Sequence, residues 1–205
     1  MSTSSNFEAR VTSSIEESIK VKERLLSSAE LVSTVAKIVE IMVNALEQGK
    51  KVLLFGNGGS AADAQHIAAE FVGRFAFDRP ALPALALSVN TSSVTAIGND
   101  YGFDQVFSRQ IEALAHTDDV AIGISTSGNS PNVVGALLLS RKKGLHTIAL
   151  TGCTGGNLKK AADYCICVPS NDTPRIQECH ILIGHIISEL VEQTIFYEQS
   201  CISRS

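Results

Sequence analysis

The stretch that most constrains this chain is Lys51-Val-Leu-Leu-Phe-Gly-Asn-Gly-Gly-Ser60, which runs on into Ala61-Ala-Asp-Ala-Gln-His-Ile-Ala-Ala-Glu70. Val52 to Phe55 is a short apolar run opened by a β-branched residue and closed by glycine, the pattern of a buried strand. Gly56, Gly58 and Gly59 allow a tight turn and a close backbone approach to a ligand. Ser60 and Asp63 have capping-box spacing, which predicts a helix starting there. Strand, glycine loop and helix N-terminus together form an anion site, because unpaired N–H groups and the helix dipole point the same way. His66 and Glu70 follow four apart, on one face of that helix. Taken alone, the pair reads as an exposed i,i+4 contact.

Further along, apolar runs alternate with helical periodicity. Strands are expected at 84–87, 120–124, 146–150 and 164–168, and helices over 61–73, after Ser92 or Ser93, around Phe107 and Ile111, from Pro131 to Gly144, around Leu158, and over 175–197. Gly98-Asn-Asp-Tyr-Gly102 reads as turn chemistry. Two helices precede the first strand, the second ended by Gly49. The first shows a thin stripe at Phe7, Val11, Ile15 and Ile19, which fits either packing on its own domain or facing a partner subunit. Five strands alternating with helices imply an α/β fold with a parallel sheet covered on both faces. With 205 residues and 44% hydrophobic content, the expectation is one domain, with N-terminal helices over 1–49 and an α/β core over 50–198.

Composition excludes several function classes. Seventeen basic against 21 acidic residues, with no long run of either sign, argue against a nucleic-acid surface. The absence of Trp leaves little to stack on bases. No apolar run approaches the ~20 residues of a membrane helix, and Met1 to Asn6 lacks the charged and apolar regions of a signal peptide. A soluble, cytoplasmic protein is expected. The five cysteines are irregularly placed without a C-x-x-C, so they form no disulfide framework. Cys165 and Cys167 read as buried structural thiols.

In an open parallel sheet, ligands bind beyond the carboxyl ends of the strands. A second loop lies at such a position, Ser125-Thr-Ser-Gly-Asn-Ser130, with Ser130 as a natural N-cap before Pro131. Its hydroxyls and helix N–H groups suit a phosphate monoester, although a solvated turn has the same composition. Nucleotide readings are weaker: Gly56-x-Gly58-x-x-Ala61 matches a dinucleotide fingerprint, but no carboxylate follows the second strand and no P-loop lysine is present. On the C-terminal helix, Gln177 and His185 place ligating groups among Ile and Leu. They are eight apart, roughly 12 Å along a straight helix, which hints at a site shared between subunits. His180 fits either a participant or a structural neighbour.

Together, Gly56-Asn-Gly-Gly-Ser60, Asp63-x-x-His66-x-x-x-Glu70, Gly98-Asn-Asp100, Gly123-Ile-Ser-Thr-Ser-Gly-Asn-Ser130 and Arg175-Ile-Gln-Glu178 with His185 resemble the sugar-isomerase (SIS) domain family, and within it the phosphoheptose isomerases. The resemblance spans nearly the whole chain; it departs at Pro174, where many members carry Asp or Ala. It implies a flavodoxin-like three-layer αβα sandwich, a homotetramer with shared active sites, and one zinc ion per subunit on His66, Glu70, Gln177 and His185. It further implies sugar-phosphate contacts from Asn57, Gly58, Gly59, Ser60, Asn99, Asp100, Ser125, Thr126, Ser127, Ser130 and Gln177, with Glu70 as base and His185 as acid. The implied reaction takes sedoheptulose 7-phosphate to D-glycero-D-manno-heptose 7-phosphate, an early step toward ADP-heptose and the lipopolysaccharide core. Such a 2-ketose to aldose conversion passes a proton between C1 and C2 through an enediol, so it requires a base and an acid and no redox cofactor. The rival is a non-catalytic SIS protein that binds the bacterial replication initiator; Glu70 and His185 together favour the enzyme. A sugar-phosphate sensor within a regulator would need a DNA-binding segment, which this sequence lacks.

Overall fold

The computed structural model describes residues 3–202, with side chains from 6 to 196. Met1, Ser2 and the last three residues of the tail therefore lie outside the described residues. Two helices, α1 (Thr3–Leu26) and α2 (Ala29–Glu47), precede β1 (Val52–Gly56) and α3 (Gly59–Val72). Then come β2 (Ala84–Ala86), α4 (Thr91–Tyr101), a 3-10 turn (Phe103–Gln105) and α5 (Ser108–Leu114). The chain continues through β3 (Val120–Ser125), α6 (Pro131–Lys142), β4 (His146–Thr151), α7 (Leu158–Ala161), β5 (Tyr164–Cys167) and α8 (Thr173–Ile202).

All strand pairings are parallel, in the order β2-β1-β3-β4-β5. This is the flavodoxin-like doubly wound order, whose switch point lies between β1 and β3. Alternate residues of each strand point to opposite faces, so the sheet carries two cores. Val52, Leu54, Ile122, Ile124, Ile148 and Leu150 pack with α2, α3 and α8, while Leu53, Phe55, Ala121 and Ala149 pack with α5, α6 and α7. The expected three-layer α/β architecture is the one observed. Among the described residues, no helix is long and apolar enough to cross a membrane.

Four local expectations are corrected. The helix after the glycine loop begins at Gly59 with Gly58 as its cap at φ 56°, so Ser60 lies inside the first turn and forms no capping box. Residues 98–101 are the end of α4, because Asn90 accepts from the Ser93 N–H and starts the helix early; Gly102, at φ 90°, makes the turn alone. Ser130 is the N-cap of α6, but its side chain makes no capping bond; the hydroxyl bonds to Ser125 Oγ at 2.9 Å. Cys165 and Cys167 are half-buried and share an Sγ–Sγ contact of 3.6 Å.

Candidate active site

The two marked loops follow β1 and β3, neighbours at the switch point with Gly56 paired to Ile124. They are joined by a contact that the sequence did not reveal. Asn57 and Asn132 exchange reciprocal amide hydrogen bonds of 2.9 Å, tying the glycine loop to the first turn of α6. Gly59 carries the Gln177 amide directly on its backbone: a Cβ there would stand 2.4 Å from Gln177 Nε2. Ser60 is buried beneath this loop.

The hydroxyl loop is internally bonded. Ser125 Oγ contacts Ser130 Oγ at 2.9 Å and Ser127 Oγ at 3.3 Å. Gly128 sits at φ 67° with its Cα pressed on the Gly155 carbonyl, so this position excludes any Cβ. The Gly152 N–H donates to the Thr126 carbonyl at 2.9 Å, bracing the loop after β3 on the loop after β4. Beside them lies a polar cavity of about 190 Å³ lined by Thr126, Ser127, Thr154, Ser170, Asn171 and Thr173 at the start of α8. Of these six, Thr154, Ser170, Asn171 and Thr173 were not anticipated.

Asn99 and Asp100 lie elsewhere. On the last turn of α4 they bond to each other at 2.7 Å, and Asp100 borders a mostly apolar cavity of about 590 Å³ between β2, α4 and α5. That cavity is bordered by neither marked loop.

The catalytic candidates meet where α3 crosses α8. Gly184 makes this approach possible, since a Cβ there would lie 2.5 Å from Ile67 Cδ1. His66 Nε2 is 2.8 Å from His185 Nε2 and 3.2 Å from Glu70 Oε1. One ligand atom from each of the three falls within 4.8 Å of the others. His66 is exposed, Glu70 and His185 are half-buried, and the Phe75 ring stands 5.9 Å from the His185 ring. Two imidazoles and one carboxylate are a donor set of the kind that holds a divalent metal ion, so the residues fit one. Gln177, the fourth expected ligand, is held against Gly59.

The neighbours of these residues have different tasks. Arg175 and Glu178 pair with each other and tie α8 to α1 through the Ser14 carbonyl and Ser18 Oγ. Burial works against the Glu178 carboxylate, but Ser18 and Arg175 outweigh it and hold its pKa below the ordinary value. Burial raises the pKa of Asp63, with nearby His66 pulling the other way, and Asp63 Oδ2 is buried without a partner among the described residues. His180 is fully buried and bonds to the Thr151 carbonyl at 3.1 Å.

Comparison with known proteins places this fold. A family model described as SIS domain matches residues 16–152, and a second with the same description matches 104–203. The chain belongs to the SIS domain family. It is 55% identical over 186 residues to a phosphoheptose isomerase of Aneurinibacillus thermoaerophilus, covering 91% of this chain and 94% of the relative. It is 60% identical over 167 residues to that of Citrifermentans bemidjiense, covering 82% and 87%. The solved phosphoheptose isomerase of Neisseria gonorrhoeae superposes with a TM-score of 0.86 at 44% identity, over 91% of this chain and 99% of the other. Within the SIS domain family, the chain groups with the phosphoheptose isomerases.

Proposed function

We propose that this chain isomerises sedoheptulose 7-phosphate to D-glycero-D-manno-heptose 7-phosphate through an enediol, supplying an early step toward ADP-heptose and the lipopolysaccharide core in the cytoplasm. The observation that carries this reading is the meeting of Glu70 and His185 from separate helices beside His66. Glu70 takes the C1 proton and returns it at C2, while His185 protonates the oxygen that gains charge; a positioned group of this kind is worth roughly 10²–10⁴ in rate. The phosphate is held by the N–H groups and hydroxyls of Gly58, Gly59, Ser125, Thr126, Ser127 and Ser130. Asn57, Ser60 and Gln177, all at the glycine loop, shape the remainder of the sugar site; Asn99 and Asp100, which lie away from both loops in the same chain, would reach it from another subunit. His66, Glu70 and His185 would hold zinc, and a bound zinc ion would polarise the substrate carbonyl; Gln177, held against Gly59, would complete the set only from another subunit.

Glu70 lies eleven positions beyond Gly59 on α3, about three helical turns or roughly 16 Å, and His66 seven positions, about two turns or roughly 10 Å. Within one chain, the phosphate loop and the acid–base trio are therefore well apart. A site built from the loops of one subunit and the trio of another fits that spacing, and it supports a homotetramer in which α1 and α2 contribute packing surface. The alternative, a non-catalytic adaptor for the replication initiator, leaves the Glu70–His185 convergence without a purpose.

The test is turnover of sedoheptulose 7-phosphate alongside shorter ketose phosphates. Glu70→Gln and His185→Ala are each expected to lose at least about 10² in kcat while keeping wild-type circular dichroism. Wild-type turnover in both variants would end the mechanism. Metal analysis of untagged protein is expected to find zinc, and full activity without metal would remove it from the account.

A further inference from the structure

We propose that Glu192 and Arg79 are positioning residues for the acid–base pair, a buried clamp that fixes the end of α3 and lays Phe75 against the His185 ring. The proposal rests on the isomerase reading above. Arg79 Nη2 donates to the carbonyl of Glu70 itself at 2.8 Å, and Nη1 donates to the Phe71 carbonyl at 2.8 Å. These belong to the last helical turn, where carbonyls lack intrahelical partners and a cation suits the dipole. The Glu192 carboxylate accepts from Arg79 Nε at 2.8 Å and from the N–H groups of Phe75 at 2.8 Å, Ala76 at 2.7 Å and Phe77 at 3.4 Å. One carboxylate thus pins residues 75–77 and Arg79 in the segment between α3 and β2.

The clamp and the acid share one element and one face. His185 and Glu192 are seven apart on α8, which returns to within about 20° of the same direction. The side chains of Arg79 and Glu192 are 2% and 1% exposed. An ion pair so deeply buried is a poor way to gain stability, because desolvation offsets the attraction. A fully bonded buried network instead fixes a single arrangement of its neighbours, and here those neighbours are the backbone of Glu70 and the ring beside His185. Burial works to neutralise Glu192, but the N–H groups of residues 75–77 and the Arg79 guanidinium prevail and hold its pKa below the ordinary value. It remains a fixed anion and is no proton carrier.

The test compares Glu192→Gln, which keeps the size and removes the charge, with Phe75→Leu, which leaves the clamp's backbone bonds in place. Each is assayed well below its own unfolding temperature. Glu192→Gln is expected to lose between about tenfold and a hundredfold in kcat, the scale of a small misplacement of reacting groups, with KM within about threefold of wild type. Amide exchange should quicken across 73–79 and stay unchanged in β1 and β3. Phe75→Leu should lower kcat severalfold with an unfolding temperature near wild type. Wild-type kcat in both variants, whatever their unfolding temperatures, would reduce the clamp to scaffolding and overturn the proposal. A wild-type protein inactive on every ketose phosphate would instead overturn the isomerase reading and the proposal with it, a result distinct from an active enzyme with indifferent variants.

Discussion

At the scale of the residue, His180 shows what an imidazole near an active site does when it is not part of it. It is fully buried, its Nε2 donates to the Thr151 carbonyl, and its Nδ1 has no partner among the described residues. Burial lowers its pKa from 6.5 to about 4, with the Thr151 bond only partly opposing. The folded pKa lies below the unfolded one, so the unfolded chain takes up a proton that the folded chain refuses. Stability is therefore full above pH 6.5 and falls as the pH drops toward 4, by roughly 2 kcal/mol between pH 6.5 and 5. His180→Leu should abolish that fall, and because the Thr151 carbonyl also accepts from the Val168 N–H at 3.0 Å, the substitution leaves no orphan there. Urea midpoints at pH 7 and pH 5 decide it: equal losses in wild type and variant would clear His180 of the effect. The depressed carboxylates of Asp119 and Glu192 act in a lower window, since their stabilisation is present above about pH 4.5 and is lost as the pH falls below it. Residue identity had exposed His66, Glu70 and His185, because helical period alone places the first two together. It could not expose Asn132 or Glu192, whose partners lie 75 and 113 residues away and leave no local trace.

Between elements, the contact that decides whether there is a site is α3 against α8. Gly184 sets their separation, because a methyl group there would run into both Ile67 Cδ1 and Cγ1, at 2.5 and 2.7 Å. Gly184→Ala should cost about 1–3 kcal/mol as an overpacked core position. It should also pry His185 from His66 and Glu70, so metal affinity should fall along with the unfolding temperature. Unchanged metal binding in a destabilised Gly184→Ala variant would show that the trio tolerates a wider gap. The sequence made the strands and most helices legible, since buried parallel strands are continuous apolar runs and helices carry their own period. It misread α4 because Gly98, Asn99 and Asp100 have turn chemistry one by one, while the Asn90 cap had already committed the segment to helix. It misread the start of α3 for a related reason: Gly58, at φ 56°, makes the turn into the helix in a conformation open to glycine, which leaves Ser60 inside the first turn for packing.

For the whole molecule, the open question is what covers α1. Phe7, Val11, Ile15 and Ile19 recur every four residues and are 63%, 59%, 56% and 50% exposed in the single chain. The helix is nevertheless held firmly to its own subunit on its other side, by buried Val21 and Leu25, by Ser18 on Glu178, and by Arg175 on the Ser14 carbonyl. A helix anchored on one face with an apolar stripe on the other is built to meet a second surface. In the shared site proposed above, the two to three turns between the phosphate loop and the trio give that meeting a chemical purpose, with the loops of one subunit completing the trio of another. Replacing Val11 and Ile15 together with lysine should therefore shift the light-scattering mass to smaller species, leave helical content intact, and lower turnover in step with dissociation. Activity should then recover at protein concentrations high enough to restore the assembly. A dissociated variant that keeps full turnover at every concentration would mean that each chain carries a complete site of its own.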